Sequence, residues 1–136
     1  MGGFKKKSMQ IAPIDPPESI STISEAEQMI IEDLLYLLGI TSKYVGYHYL
    51  SYAILLVLHQ PDRLWLVTKW LYPDVAKHFL TDWRTIERGM RFAINVAWST
   101  RHEKLQSISQ NYLDYRPNIT EFIKILVCYL RSDAAA

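Results

Sequence analysis

"LYPDVAKHFLTDWRTIERGMRFAINVAW", residues Leu71 to Trp98, is the stretch whose reading decides the fold. Pro73 ends whatever precedes it and can open a helix at its first position, where a missing N–H costs little. Asp74 then sits near the positive end of the new helix dipole. Pro73 to Phe79 reads as a short helix, Leu80 to Asp82 as a brief turn, and Trp83 to Trp98 as a longer helix. Asp82 or Thr81 can start that helix by accepting from an open backbone N–H. Ile86, Met90, Ala93 and Ala97 form its inner face. Arg84, Arg88, Arg91 and Asn95 recur at i, i+4, i+7 and i+11 on the other side. Ala76 is small enough to let the two helices approach, and Val75, Phe79 and Ile86 can fill the angle between them. A short helix, a turn of three or four residues and a longer helix make the helix-turn-helix plan.

Outward from this stretch the pattern stays helical. Residues 1–22 read as a tail, with Lys5, Lys6 and Lys7 and with Pro13, Pro16 and Pro17. Ser24 with Glu27 three residues on predicts a capping box and a first helix. Met29, Ile30, Leu34, Leu37 and Leu38 continue it, and Gly39 is a natural stop because it takes positive φ. Thr41 or Ser42 is expected to cap a second, Tyr-rich helix running to about His59 and buried on most sides. Pro61 and Asp62 mark a turn, and Leu64 to Tyr72 reads as a third helix carrying Trp65, Leu66, Trp70 and Leu71. His102 to Tyr112 is weakly helical, Arg116-Pro117-Asn118 is a break, and Thr120 is expected to cap a last helix with Phe122, Ile123, Leu126, Val127 and Leu130 as its stripe. The reading is all-α, with about six helices, no wing, a folded domain over 23–132 and a short C-terminal tail at 133–136.

Composition excludes several classes. At 136 residues and 49% hydrophobic, the chain suits one domain with a real core. Cys128 is the only cysteine, so neither a disulfide framework nor a cysteine-cluster metal site is available; it reads as a small buried hydrophobe. A lone cysteine fits a reducing, cytoplasmic setting. The longest apolar run, Ala53 to Leu58, is too short to span a bilayer. His48, His59, His78 and His102 show no metal-ligand spacing, no nucleophile–base pairing stands out, and no cofactor or enzymatic activity is expected. Tyr44, Tyr47, Tyr49 and Tyr52 read as core, and Trp83 and Trp98 as core or rim. Net charge is only +1, but it is unevenly spread. Asp15 to Asp33 carries six acidic residues and no basic one, while Arg63 to Lys104 carries eight basic and four acidic, a local net of +4. That asymmetry is compatible with one electropositive face; a solvated helix surface is the alternative.

The second helix of a helix-turn-helix offers its outward face, mainly the N-terminal half, to the major groove. Arg84, Thr85, Arg88 and Arg91 fall there. An arginine reads guanine O6 and N7 through two parallel bonds. Glu87 can accept from a cytosine amino group or hold an arginine in place. Lys69, Lys77, Arg101 and Lys104 are candidates for phosphate contacts, which orient a protein on DNA without reading sequence.

"KWLYPDVAKHF" (69–79) followed by "IERGMRFAINVAW" (86–98) resembles the C-terminal DNA-binding effector domain of the sporulation initiation response regulator, stage zero sporulation protein A. "GYHYL" (46–50), "VAW" (96–98) and "EFI" (121–123) fall in the same order, and the resemblance runs from about Ile31 to Leu130. It implies a six-helix domain that binds promoter boxes in double-stranded DNA, often in tandem copies, and regulates transcription at the onset of sporulation. By position, Glu87, Arg88 and Arg91 match the family's DNA-contacting helix. RNA polymerase, a homologous full-length regulator and a second copy on tandem sites are candidate partners. Three positions depart from the family pattern. Thr85 stands where an arginine is usual, with Arg84 one step earlier and so about 100° away around the helix. Gly89 replaces an alanine, and Phe92 a histidine. The segment from Ile108 to Pro117 is also shorter than usual. Only a short tail precedes the first helix, so DNA binding ungated by a phosphoacceptor domain in cis is expected. The alternative is an interaction module of the same fold that no longer reads DNA.

Overall fold

The computed structural model describes the backbone of residues 18–135 and the side chains of 25–132. These residues form α1 (Glu18–Leu37), α2 (Val45–His59), a 3₁₀ segment (Pro61–Leu66), α3 (Val67–Trp70), α4 (Tyr72–His78), α5 (Trp83–Thr100), α6 (His102–Ile108) and α7 (Ile119–Ala135). The all-α expectation holds, and no strand occurs among the described residues.

The second helix is the centre. It packs on α1, α5 and α7, and its small and apolar positions are buried: Gly46, Leu50, Ala53, Ile54 and Val57. Ile31, Leu34, Leu35 and Leu38 of α1 cover one side, and Phe122, Ile123, Leu126 and Val127 of α7 another. Among the described residues Ser51 is the one buried polar side chain in this core, and the Gln28 amide of α1 donates to its hydroxyl. From α7, Arg131 Nη2 donates to the Leu58 carbonyl at 2.8 Å and so satisfies an orphan acceptor at the end of α2. Tyr47 and Tyr49 are buried as the sequence suggests, while Tyr44 and Tyr52 are half-exposed.

Where α2 and α5 cross, both backbones are bare. A Cβ on Gly46 would stand 2.2 Å from the Gly89 carbonyl oxygen and 2.7 Å from Ala93 Cβ. One on Gly89 would meet the Tyr49 ring at 2.9 Å. Gly89 is thus not simply a weak helix former in place of alanine; it makes room for Tyr49.

Two helices end alike. The Gly39 N–H donates to Tyr36 O and the Ile40 N–H to Leu35 O, both at 2.9 Å, with Gly39 at φ 82°. In α4 the Leu80 N–H donates to Lys77 O at 3.3 Å and Thr81 N–H to Ala76 O at 2.9 Å, with Leu80 at φ 56°. Both are Schellman endings, which need a left-handed residue just past the helix. Glycine takes that place in one and a leucine in the other.

Several expectations are corrected. Helix α1 is described from Glu18 onward, so Ser24 and Glu27 lie within it rather than at its start; the expected tail falls mainly on residues 1–17, outside the described ones. Helix α2 begins at Val45, with Tyr44 in extended backbone before it, because Thr41 O is taken by the Tyr44 N–H in a turn. Leu64 to Tyr72 is no continuous helix. Arg63 reaches across it to Trp70 O and the Asp74 carboxylate, folding the segment into a 3₁₀ stretch and the one turn of α3. Trp65 is left 77% exposed. The sixth helix stops at Ile108 and Tyr112 is exposed. Thr120 does not cap α7. Asn118 does: Asn118 Oδ1 accepts from the Glu121 N–H and Glu121 Oε1 from the Asn118 N–H, both at 2.8 Å. This is the reciprocal capping box. Cys128 is half-buried rather than buried.

Candidate nucleic-acid interface

The fourth and fifth helices pack as expected. Val75, Ala76 and Ile86 are buried, and Phe79 sits edge-on to Tyr49 at 5.1 Å between ring centroids. Asp82 is the N-cap of α5, its Oδ1 accepting from the Thr85 N–H at 2.8 Å. That backbone hydrogen bond holds the Asp82 carboxyl below its usual value. Ile86, Met90, Ala93 and Ala97 are buried, joined by Gly89 and Ile94.

The opposite side of α5 is where the polar candidates lie. Arg84, Arg88, Arg91 and Asn95 share an arc of about 60°. Thr85 and Glu87 occupy its two shoulders and are half-buried. The members of the arc are held differently. Arg84 lies over the Trp83 ring, with Cζ 5.3 Å from its centroid, a cation–π contact. Arg91 Nη2 pairs with Glu87 Oε2 at 3.2 Å, four residues earlier. Asn95 accepts a hydrogen bond from Arg116 of the 109–118 loop. Arg88 is exposed and makes no ion pair or hydrogen bond with the described residues. Its guanidinium is open to an incoming partner.

The weaker candidates scatter. Lys77 is exposed on α4. Lys69, exposed on α3, lines a groove with Trp70 and the Arg63–Asp74 pair. Arg101 ends α5, about 25 Å along the helix axis from Arg84, and Lys104 lies beyond it on α6, so both are outside the arc. Phe92 is 56% exposed beside Tyr44, 5.8 Å between centroids. Trp83 is a rim residue, and Trp98 packs on the core with its ring against His102.

Arg116 is the residue that the sequence left unassigned. Its contact with Asn95 joins positions 21 residues apart, and no local pattern announces it. Beside it Tyr72, Glu87, Arg91, Ile94 and the start of α7 enclose a depression of about 160 Å³. The Tyr72 phenol is pushed up to about 12, first by burial and then by the Glu87 charge. Among the described residues, no helix is long and apolar enough to cross a membrane.

An exposed arginine arc on the second helix of a helix-turn-helix is suited to anionic, grooved surfaces. Comparison with known families agrees: the model of the sporulation initiation factor Spo0A C terminal matches residues 31–130, spanning α1 to α7. The chain therefore belongs to the Spo0A C-terminal family, whose members are DNA-binding effector domains of transcription regulation in sporulation rather than enzymes.

Proposed function

We propose that this chain is a sequence-specific transcriptional regulator that lays α5 in the major groove of a promoter box. The observation that carries the reading is the exposed Arg88 on the outward arc of α5, without an ion pair or hydrogen bond among the described residues. Arg88 is assigned to a base edge, where a bidentate arginine–guanine pair gives about 1–3 kcal/mol of discrimination. Arg91 acts with Glu87, each fixing the other's position. Arg84, displaced from the usual family position and resting on Trp83, contacts the flank of the site. Lys69 and Lys77 supply phosphate contacts, and tandem boxes are read by successive copies.

Selection from a random DNA pool with the 136-residue chain, followed by mobility shift on the recovered box, tests this. Selective, salt-sensitive binding at micromolar protein or below is expected. No selected sequence and no shift would sink it. A second reading, an interaction module that docks on a regulator or RNA polymerase, is favoured by one observation: the exposed Phe92 and half-exposed Tyr44 form an aromatic pair beside the arc. Arg88→Ala with Arg91→Ala separates the two. A DNA reader loses the box with its fold intact, whereas a partner-only module keeps its partner.

A further inference from the structure

The depression between α5 and the start of α7 has features that base reading does not use. Tyr72 is only 3% exposed, lines it, and its hydroxyl has no hydrogen-bond partner among the described residues. A buried phenol without a partner is costly, so the group is poised for something that arrives. Glu87 and Arg91 line the same depression as Tyr72. Across from it, Asn118 and Glu121 satisfy each other's backbone N–H groups, which leaves those of Ile119 and Thr120 open at the first turn of a 17-residue helix. Open first-turn amides and the positive dipole end favour an anion. Arg116 stands at the mouth, tied to the recognition arc through Asn95. The Glu87–Arg91 pair is neutral as a unit, which leaves Arg116 as the cation lining the depression, with the Glu121 carboxylate held beside it on the Asn118 N–H.

We infer that this depression is a seat for one backbone phosphate of the DNA strand running beside α5. Arg116 is its principal cation, with the Tyr72 hydroxyl and the Ile119 and Thr120 amides as neutral donors. The inference rests on the DNA-binding reading above. It adds a contact from a loop outside the helix-turn-helix, on the Glu87 side of α5. Such a contact fixes how the recognition helix lies in the groove and carries no sequence information.

The experiment is fluorescence anisotropy with the selected box and a scrambled duplex, at 50–200 mM KCl. Arg116→Ala is expected to weaken both duplexes by the same factor, about tenfold, and to reduce the slope of log K against log salt by about 0.9. Arg116→Lys restores the slope. Tyr72→Phe weakens both duplexes about threefold with the slope unchanged. A box carrying one uncharged methylphosphonate at the seated position binds the wild type more weakly and Arg116→Ala no differently. Thermal melts of each variant confirm the fold. If the wild type binds selectively but Arg116→Ala and Tyr72→Phe match it in affinity and slope, the seat is overturned while the DNA reading stands. If the wild type binds no duplex, both fall. If inorganic phosphate moves the Ile119 and Thr120 amide resonances while Arg116→Ala leaves duplex binding unchanged, the site takes a free anion, and the assignment to DNA is wrong.

Discussion

Leu80 carries a side chain where the backbone favours none. Its φ of 56° is required by the hydrogen bonds that close α4, and with 93% of the residue exposed no packing compensates. A left-handed β-carbon costs about 1–2 kcal/mol, part of which glycine's greater unfolded-state freedom cancels. Leu80→Gly is therefore expected to raise stability by about 1 kcal/mol in urea unfolding, with no change in DNA affinity; a loss of stability would mean that Leu80 makes a contact absent from this geometry. Asp82 is the neighbouring test. Its carboxyl titrates lower in the folded chain than in the unfolded one. Its contribution is thus complete above the unfolded value and lost as pH falls through the folded one. Asp82→Ala should lower the melting temperature at pH 7 and flatten the fall of stability between about pH 5 and pH 2, whereas Asp82→Asn, still an acceptor, should keep most of the neutral-pH stability.

At the scale of elements, the α2–α5 crossing makes the sharpest prediction. Alanine at Gly89, inside α5, gains about 1 kcal/mol of helix propensity. At Gly46 the new carbon would meet a backbone oxygen at 2.2 Å, which only separating the helices relieves. Gly46→Ala is expected to cost about 3 kcal/mol, the upper end for overpacking. At Gly89 the obstacle is the Tyr49 ring, which can tilt. Gly89→Ala should cost about 1 kcal/mol, and a paired Tyr49→Leu should recover most of that loss. The sequence made the helix-turn-helix legible because its signals are local: Asp82 before an amphipathic run, Ala76 and Ile86 at the angle. It misplaced starts where two candidate caps compete. Asparagine and threonine are both good N-caps, and only the glutamate three residues after Asn118 distinguishes it from Thr120. The 3₁₀ segment was hidden because Arg63 reaches eleven residues ahead to Asp74. Of the interface, the arginine arc follows from helical spacing alone. Arg116 was invisible, since its place beside Asn95 exists only after α7 has packed.

At the scale of the whole molecule, three phenols resist ionisation. Tyr47, Tyr52 and Tyr72 are all raised, burial being the largest cause in each, and Tyr72 reaches about 12. Their unfolded values lie near 10. Stability is thus fully present below about pH 10 and falls as pH rises toward 12, because the unfolded chain releases those protons first. Melts from pH 8 to 11.5 should show this decline, smaller in Tyr72→Phe; equal declines would mean that Tyr72 ionises normally. The bare crossing of Gly46 on Gly89 has a consequence for how this molecule can change its target. With the backbones in contact, α5 has no freedom to roll about its own axis against α2. It behaves like a shaft held by a key. An arginine at position 84 points about 100° away from the bearing of position 85, and no rotation of the helix can exchange the two. New specificity on this scaffold must therefore come from exchanging side chains on a fixed outward arc, one bearing at a time.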